Sequence, residues 1–182
     1  MMQRPMLPLI QTLTELGAHL EHKNGFLPIS LSGGNLNGKS VTVDASQSSQ
    51  FVSALMLIAP HTSQGLKISI DGQIASDYYI HLTQSILEYA GLTVNLKLGD
   101  IDIPGRQSYK LDKVTVEGDY SSISYFAVGA AISQGDITIQ NLSPKSAQGD
   151  RAILDIIKTA GGKISHQKGS CRIAAETPVS YT

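Results

Sequence analysis

The chain has 182 residues, of which 41% are hydrophobic and 16% charged, so it carries enough apolar material for a packed core. Fourteen Lys and Arg against fifteen Asp and Glu leave a net charge of -1, which argues against a nucleic-acid partner bound through its phosphates. The longest apolar run, around 54–60, is far short of the roughly 20 residues that span a bilayer, no signal-like stretch opens the chain, and the one cysteine rules out a disulfide framework. No membrane partner is expected, and a cytoplasmic location is the default.

Met6, Ile10, Leu13 and Leu16 are spaced as one stripe of a helix ending at Gly17, and strands over 18–22 and 27–31 follow. Gly33-Gly-Asn-Leu-Asn-Gly38-Lys39-Ser40 fits the phosphate-loop pattern GxxxxGK[ST], but that motif needs a helix beginning at its Lys-Ser. Val41-Thr-Val-Asp44 is instead a β-branched alternation, so a hairpin turn over 35–38 is the better reading. Phe51–Ala59 is apolar nearly all round and predicts a helix buried on all sides. Its polar entry, Ser46 to Gln50, offers helix-end N–H groups that suit an anion; the plain alternative is Ser48 as an ordinary helix cap. A strand over 67–70 leads to an amphipathic helix over 79–90, with Leu82, Ile86 and Tyr89 on one face. Strands over 92–98 and 101–103 follow. Beyond Asp119 the pattern predicts a second buried helix over 122–132 and a strand over 136–139. An amphipathic helix over 150–160, with Ile153, Ile156, Ile157 and Ala160 on one face, precedes strands over 163–166 and 170–174.

The chain repeats itself. Asp44-Ala-Ser46-Gln-Ser-Ser49-Gln-Phe51 aligns with Asp119-Tyr-Ser121-Ser-Ile-Ser124-Tyr-Phe126, and Ser63-Gln64-Gly65 with Ser133-Gln134-Gly135. The expected fold is thus α/β, with a β-α-β-α-β-β unit present twice in full and once, at the start, without its front half. His19, His22, His61, His81 and His166 fall in different elements without a carboxylate-rich motif, so no metal is expected, and nothing calls for a cofactor. Cys171 sits in an alternating strand and reads as a small buried hydrophobe.

Four further features occur in family-like order. They are Arg4-Pro5 before a helix, Ser48-Ser49-Gln50-Phe51, Ser76-Asp-Tyr-Tyr79-Ile80, and Glu117-Gly-Asp119-Tyr-Ser-Ser122. Together they resemble 5-enolpyruvylshikimate-3-phosphate synthase (3-phosphoshikimate 1-carboxyvinyltransferase) over essentially the whole chain. The resemblance implies an inside-out α/β barrel of two lobes, each built from three such units, with the active site between them. Residues 1–116 would be the later part of one lobe and 117–182 the opening unit of the other. It also implies transfer of the enolpyruvyl group of phosphoenolpyruvate to the 5-hydroxyl of shikimate 3-phosphate, by addition and elimination through a tetrahedral intermediate. On that footing Arg4 would bind phosphoenolpyruvate, while Ser48, Ser49 and Ser76 would hold the shikimate phosphate. Gln50 would touch both substrates and Tyr79 would lie against shikimate 3-phosphate.

There are departures. Asp77 and Tyr78 stand where the family commonly has a basic residue and a proline, and an acid beside a phosphate pocket is unfavourable unless it points away. The family's amino-terminal lysine, its proton-transferring Asp and Glu and its later arginines have no counterpart here, so no residue is assigned a catalytic role. Alone, the chain is expected not to turn over substrate and to self-associate through apolar surface that missing units would cover. The alternatives are a relative that acts on UDP-N-acetylglucosamine, which Ser48-Ser49-Gln50-Phe51 disfavours, and a non-catalytic binding module.

Overall fold

A computed structural model describes residues 3–74, 76–97 and 99–176, and the chain forms two compact units, Met1–Asp112 and Lys113–Thr182. In the first unit, α1 (Leu7–Glu15) has a proline in its first turn, where no N–H is missed, and it buries Ile10. Met6 and Leu13 of the predicted stripe pack partly buried against the core, beside fully buried Leu16. Strands β1 (His19–Lys23) and β2 (Phe26–Gly33) form an antiparallel hairpin. Its turn is Asn24-Gly25, both at positive φ (55° and 76°), the backbone that a tight two-residue hairpin requires.

The main sheet of this unit has the order β3-β4-β6-β5, from β3 (Ser40–Asp44), β4 (Leu66–Asp71), β5 (Asn95–Lys97) and β6 (Asp100–Ile103). Strands β3 and β4 are parallel, which requires a crossover, and α2 (Gln50–Ile58) supplies it; the other pairings are antiparallel. Val41 and Val43, Leu66 and Ile68, and Ile101 and Ile103 alternate with polar neighbours, so one sheet face is core and the other is wet. Phe51, Val52, Leu55 and Met56 of α2 fill that core, and α3 (Tyr78–Tyr89) packs on α2. At the turn into β4, a Cβ on Gly65 would lie 2.3 Å from the Ile103 carbonyl oxygen, so only glycine fits.

In the second unit, α4 (Tyr120–Ile132) and α5 (Ala152–Thr159) cover a three-stranded antiparallel sheet. Its order is β7-β9-β8, from β7 (Asp136–Gln140), β8 (Lys163–Gln167) and β9 (Ser170–Ala174). Tyr120, Ile123, Ala127, Leu142, Leu154, Ile157, Cys171 and Ile173 form its core. Burial pushes the Cys171 thiol up, as suits a small apolar filler.

Four expectations are corrected. The 35–38 segment is not a hairpin turn: β2 pairs with β1 and β3 with β4, so 34–39 links two sheets, and no helix follows Lys39-Ser40. The second repeat lacks its front strand. Residues 113–119 form none, because 116–118 make only two hydrogen bonds to Asn141 at the end of β7 instead of a ladder. The core face of α3 holds Ile80 and Leu87, while Ile86 and Tyr89 are exposed, and on α5 Ile156 is exposed while Leu154 is buried. Finally, neither helix expected to be buried on all sides is so: α2 leaves Leu57 47% exposed, and α4 is covered on one side only, with Tyr125 80% and Phe126 69% exposed. Of the expected strand over 92–98, the structure keeps β5, and Leu98 lies outside the described residues.

Candidate anion-binding site

The entry to α2 gathers three of the predicted residues. Ser48 and Ser49 are buried just ahead of the helix, and Gln50 is its first residue, exposed. Arg4 reaches them from the other end of the unit's sequence. Its Nη2 donates to Gln50 Oε1 at 2.7 Å and lies 3.3 Å from Ser48 Oγ. The segment carrying it is pinned by the Met6 N–H, which donates to the Gly25 carbonyl at 2.8 Å. Both contacts use one terminal nitrogen, so the rest of the guanidinium fork makes no bond among the described residues. A planar fork of this kind suits a carboxylate or phosphate.

Ser49 occupies the capping position but makes no side-chain capping bond. The Ser48 hydroxyl accepts from the Gln50 N–H at 3.3 Å, so the cap alternative holds only as one long bond from Ser48. The start of α2 therefore presents N–H groups, two serine hydroxyls, an amide and a guanidinium, with the positive end of the helix dipole behind them.

Ser76 and Tyr79 lie at the start of α3. Ser76 is half-buried and Tyr79 is 46% exposed. Among the described residues the Arg4–Ser48–Gln50 bonding does not extend to either side chain. What ties α3 to α2 is Ser53, which sequence reasoning missed: its hydroxyl donates to the Tyr79 carbonyl at 3.3 Å and accepts from Thr83 Oγ1 at 2.9 Å. A polar residue inside an otherwise apolar helix was the available signal. Asp77 is exposed beside them, at the capping position of α3, without a capping bond. Among the described residues no group of three or more His, Cys, Asp or Glu is placed to hold a metal ion.

The model of the family EPSP synthase (3-phosphoshikimate 1-carboxyvinyltransferase) matches residues 1–181. The chain belongs to this family. It is 42% identical over 170 residues to the 3-phosphoshikimate 1-carboxyvinyltransferase of Methanococcoides burtonii, covering 91% of this chain and 39% of that protein. Against the protein of the same name from Methanothermobacter thermautotrophicus it is 37% identical, covering 97% of this chain and 42% of the relative. The EPSP synthase structure from Acinetobacter baumannii superposes with a TM-score of 0.72 at 20% identity, over 97% of this chain and 40% of that one, which shows the shared fold. The chain thus spans about two fifths of the length of these relatives.

Within this chain the second repeat copy starts its helix differently. Asp119, aligned with Asp44, caps α4 directly: its carboxylate accepts from the N–H groups of Ser121 and Ser122. The Gln148 side-chain oxygen accepts from the Tyr120 N–H at 2.8 Å. Asp44 instead accepts from Ser46 N–H, closing a local turn, and α2 begins six residues after it. Hydrogen bonds from Ser122 and Ser121 hold the Asp119 carboxyl below its usual range, and bonds from Ser46 do the same for Asp44. At α4 side chains accept from the N–H groups of Tyr120, Ser121 and Ser122, while at α2 the one such bond among the described residues is the long one from the Gln50 N–H to Ser48.

Proposed function

We propose that this chain supplies part of the site for enolpyruvyl transfer from phosphoenolpyruvate to shikimate 3-phosphate. The observation that carries the reading is the convergence of Arg4, Ser48 and Gln50 at the start of α2, where Ser49 makes no capping bond, in a chain of the EPSP synthase family. Both substrates are anions, and this is the place in the unit where a guanidinium, hydroxyls and a helix amino end meet. Ser48 and Ser49 hold the shikimate phosphate, with Ser76 as a further donor. Arg4 takes phosphoenolpyruvate, Gln50 spans the two and Tyr79 lies against the shikimate ring. The exposure of Asp77 lets its carboxylate point away from the phosphate.

Residues 1–116 are assigned to one lobe and 117–182 to the other, which the two compact units support in general outline. By itself the chain binds without turnover, because no proton-transferring pair accompanies these residues. A cytoplasmic setting belongs to the same proposal, as does self-association of the chain.

Charge-assisted hydrogen bonds contribute roughly 1.5–3 kcal/mol each, and immobilising the ligand offsets much of their sum. Binding on the order of millimolar, about -4 kcal/mol, is therefore expected. An NMR titration with shikimate 3-phosphate should shift the amides of Ser48 to Gln50, while UDP-N-acetylglucosamine should leave them in place. Unmoved amides at saturation would remove the proposal. A response to the nucleotide sugar alone would favour the sister transferase, and phosphate release by the 182 residues would refute the absence of turnover.

A further inference from the structure

A pair of hydroxyls joins α2 to α3 beside the anion site. Ser53 stands one turn into α2, with its N–H on the Ser49 carbonyl at 3.2 Å, so it shares a helix face with Ser49 and Gln50. Its hydroxyl donates to the Tyr79 carbonyl at 3.3 Å and accepts from Thr83 Oγ1 at 2.9 Å, and Thr83 Oγ1 is itself 2.7 Å from that carbonyl. The three oxygens close a triangle with two hydroxyl protons to share. A threonine bonding back to the carbonyl four residues before it is ordinary in a helix and needs no partner from another element. Ser53 comes from a different helix, 26 residues from Tyr79 and 30 from Thr83. Alanine at 53 would favour the helix and leave no polar atom to satisfy, so packing alone does not call for this serine. What the hydroxyls add is register: they tie one backbone oxygen of α3 to a fixed point on α2, whereas apolar contacts are non-directional.

We infer that Ser53 and Thr83 are positioning residues: their paired hydroxyls hold the start of α3 where Tyr79 meets the ring of a ligand whose phosphate sits at Ser48 and Ser49. The tied oxygen belongs to Tyr79 itself. The Tyr79 phenol makes no hydrogen bond among the described residues, so its backbone sets where the ring stands. Ile80, buried next to it, holds α3 on the core from the other side. The inference rests on the reading of the α2 start as a shikimate 3-phosphate site, and it adds what tells that ligand from a bare phosphate. Bare phosphate needs only the donors of α2 and Arg4. A phosphate carrying a ring also needs Tyr79 at a set distance from them. Contacts at two places reinforce each other only when both form without reorganisation, so a tie that fixes their separation acts on the ring-bearing ligand alone. Ser53 and Thr83 are half-buried and stand outside the core of Phe51, Val52, Leu55 and Met56, so removing either hydroxyl leaves the packing in place.

The test is a pair of NMR titrations of the whole 182-residue chain, one with shikimate 3-phosphate and one with inorganic phosphate. In the wild type both ligands should shift the amides of Ser48 to Gln50, shikimate 3-phosphate should bind more tightly, and it alone should move the Tyr79 ring signals. Ser53→Ala and Thr83→Val should each weaken shikimate 3-phosphate about threefold to tenfold, the worth of one hydrogen bond, and leave inorganic phosphate unchanged. Ser53→Thr keeps the hydroxyl and should restore wild-type binding. In a Tyr79→Ala background, Ser53→Ala should cost nothing more, because the two changes remove the same contact. A wild-type chain that binds neither ligand would overturn the site and this role together. Binding of both ligands with equal strength would leave the anion site standing and overturn the role of Tyr79 and its tie. So would an equal loss for both ligands in Ser53→Ala and Thr83→Val, the mark of a merely structural contact, or undiminished binding of shikimate 3-phosphate by both variants.

Discussion

Gln148→Ala probes the join between the start of α4 and the loop ahead of α5. The Gln148 side chain accepts from the Tyr120 N–H at 2.8 Å and donates to Glu117 Oε1 at 2.9 Å and to the Gly118 carbonyl at 3.0 Å. Ser146 donates to the same Glu117 oxygen at 2.7 Å, so the cluster shares one acceptor. A neutral hydrogen bond contributes about 0.5–1.5 kcal/mol net, and one to a charged group about 1.5–3. The simple sum is roughly 2.5–6 kcal/mol, but Gln148, Glu117 and Gly118 are all only half-buried, and water replaces part of what is lost. The expected destabilisation is therefore near the low end, about 2–3 kcal/mol. Urea unfolding followed by circular dichroism gives the magnitude, and hydrogen exchange gives the location. Faster exchange should appear in residues 113–176 and not in 3–112. A loss under about 0.5 kcal/mol, the range of an inconsequential surface change, would refute the reasoning. So would a loss spread evenly over both units.

Leu55→Ala, at a fully buried position in α2, should destabilise the first unit by about 2–5 kcal/mol in urea unfolding. Arg4→Ala should weaken shikimate 3-phosphate or phosphoenolpyruvate binding about tenfold or more by NMR titration with little change in the urea midpoint, because Arg4 is exposed. Asp119→Asn should flatten the acid limb of stability. The carboxyl is held low in the folded chain, so its contribution is full above the unfolded value of about 4 and fades as pH falls through the lower folded value. The wild type and the variant should differ at pH near 7 and converge in strong acid; a gap that widens on acidification would contradict the assignment.

Much of the fold was legible because the hydrophobic periods agree with the packing. The period-two runs of β3, β4 and β6 and the apolar stretch of α2 all lie where the alternation placed them. The misreadings have physical causes. Helix α3 carries two apolar stripes, Leu82-Ile86-Tyr89 and Ile80-Leu87-Ala90, and periodicity cannot choose between them. Packing on α2 and the sheet chooses the second. Asn24-Gly25 and the Asn-rich 35–38 segment both look like turns, but only the first lies between strands of one sheet. At the site, the serines ahead of α2 could be read locally. The Arg4–Gln50 bond joins residues 46 apart and could be anticipated only through resemblance. Gln148 was missed because Ser-Ala-Gln-Gly-Asp reads as an ordinary polar loop.

The two copies of the repeat show how one local pattern yields two chemistries. Both open with an aspartate followed two residues later by a serine. At 119 the aspartate accepts from two successive N–H groups, and the helix starts at the next residue with Gln148 closing its first donor. At 44 the aspartate ends a strand, and the Ala45 N–H is already committed to the Asp71 carbonyl. The carboxylate can then serve only the turn at Ser46, and the helix is delayed to Gln50. That delay leaves Ser48 and Ser49 ahead of the helix and not within it, beside a first turn that Arg4 reaches only as a donor. The pairing of β3 with β4 thus leaves open the place proposed here for an anion, and the same stretch without a paired front strand fills that place itself. A change that let Asp44 cap a lengthened α2 would be expected to abolish anion binding while stabilising the helix. On the proposed reading, anion binding and local stability oppose each other at this turn.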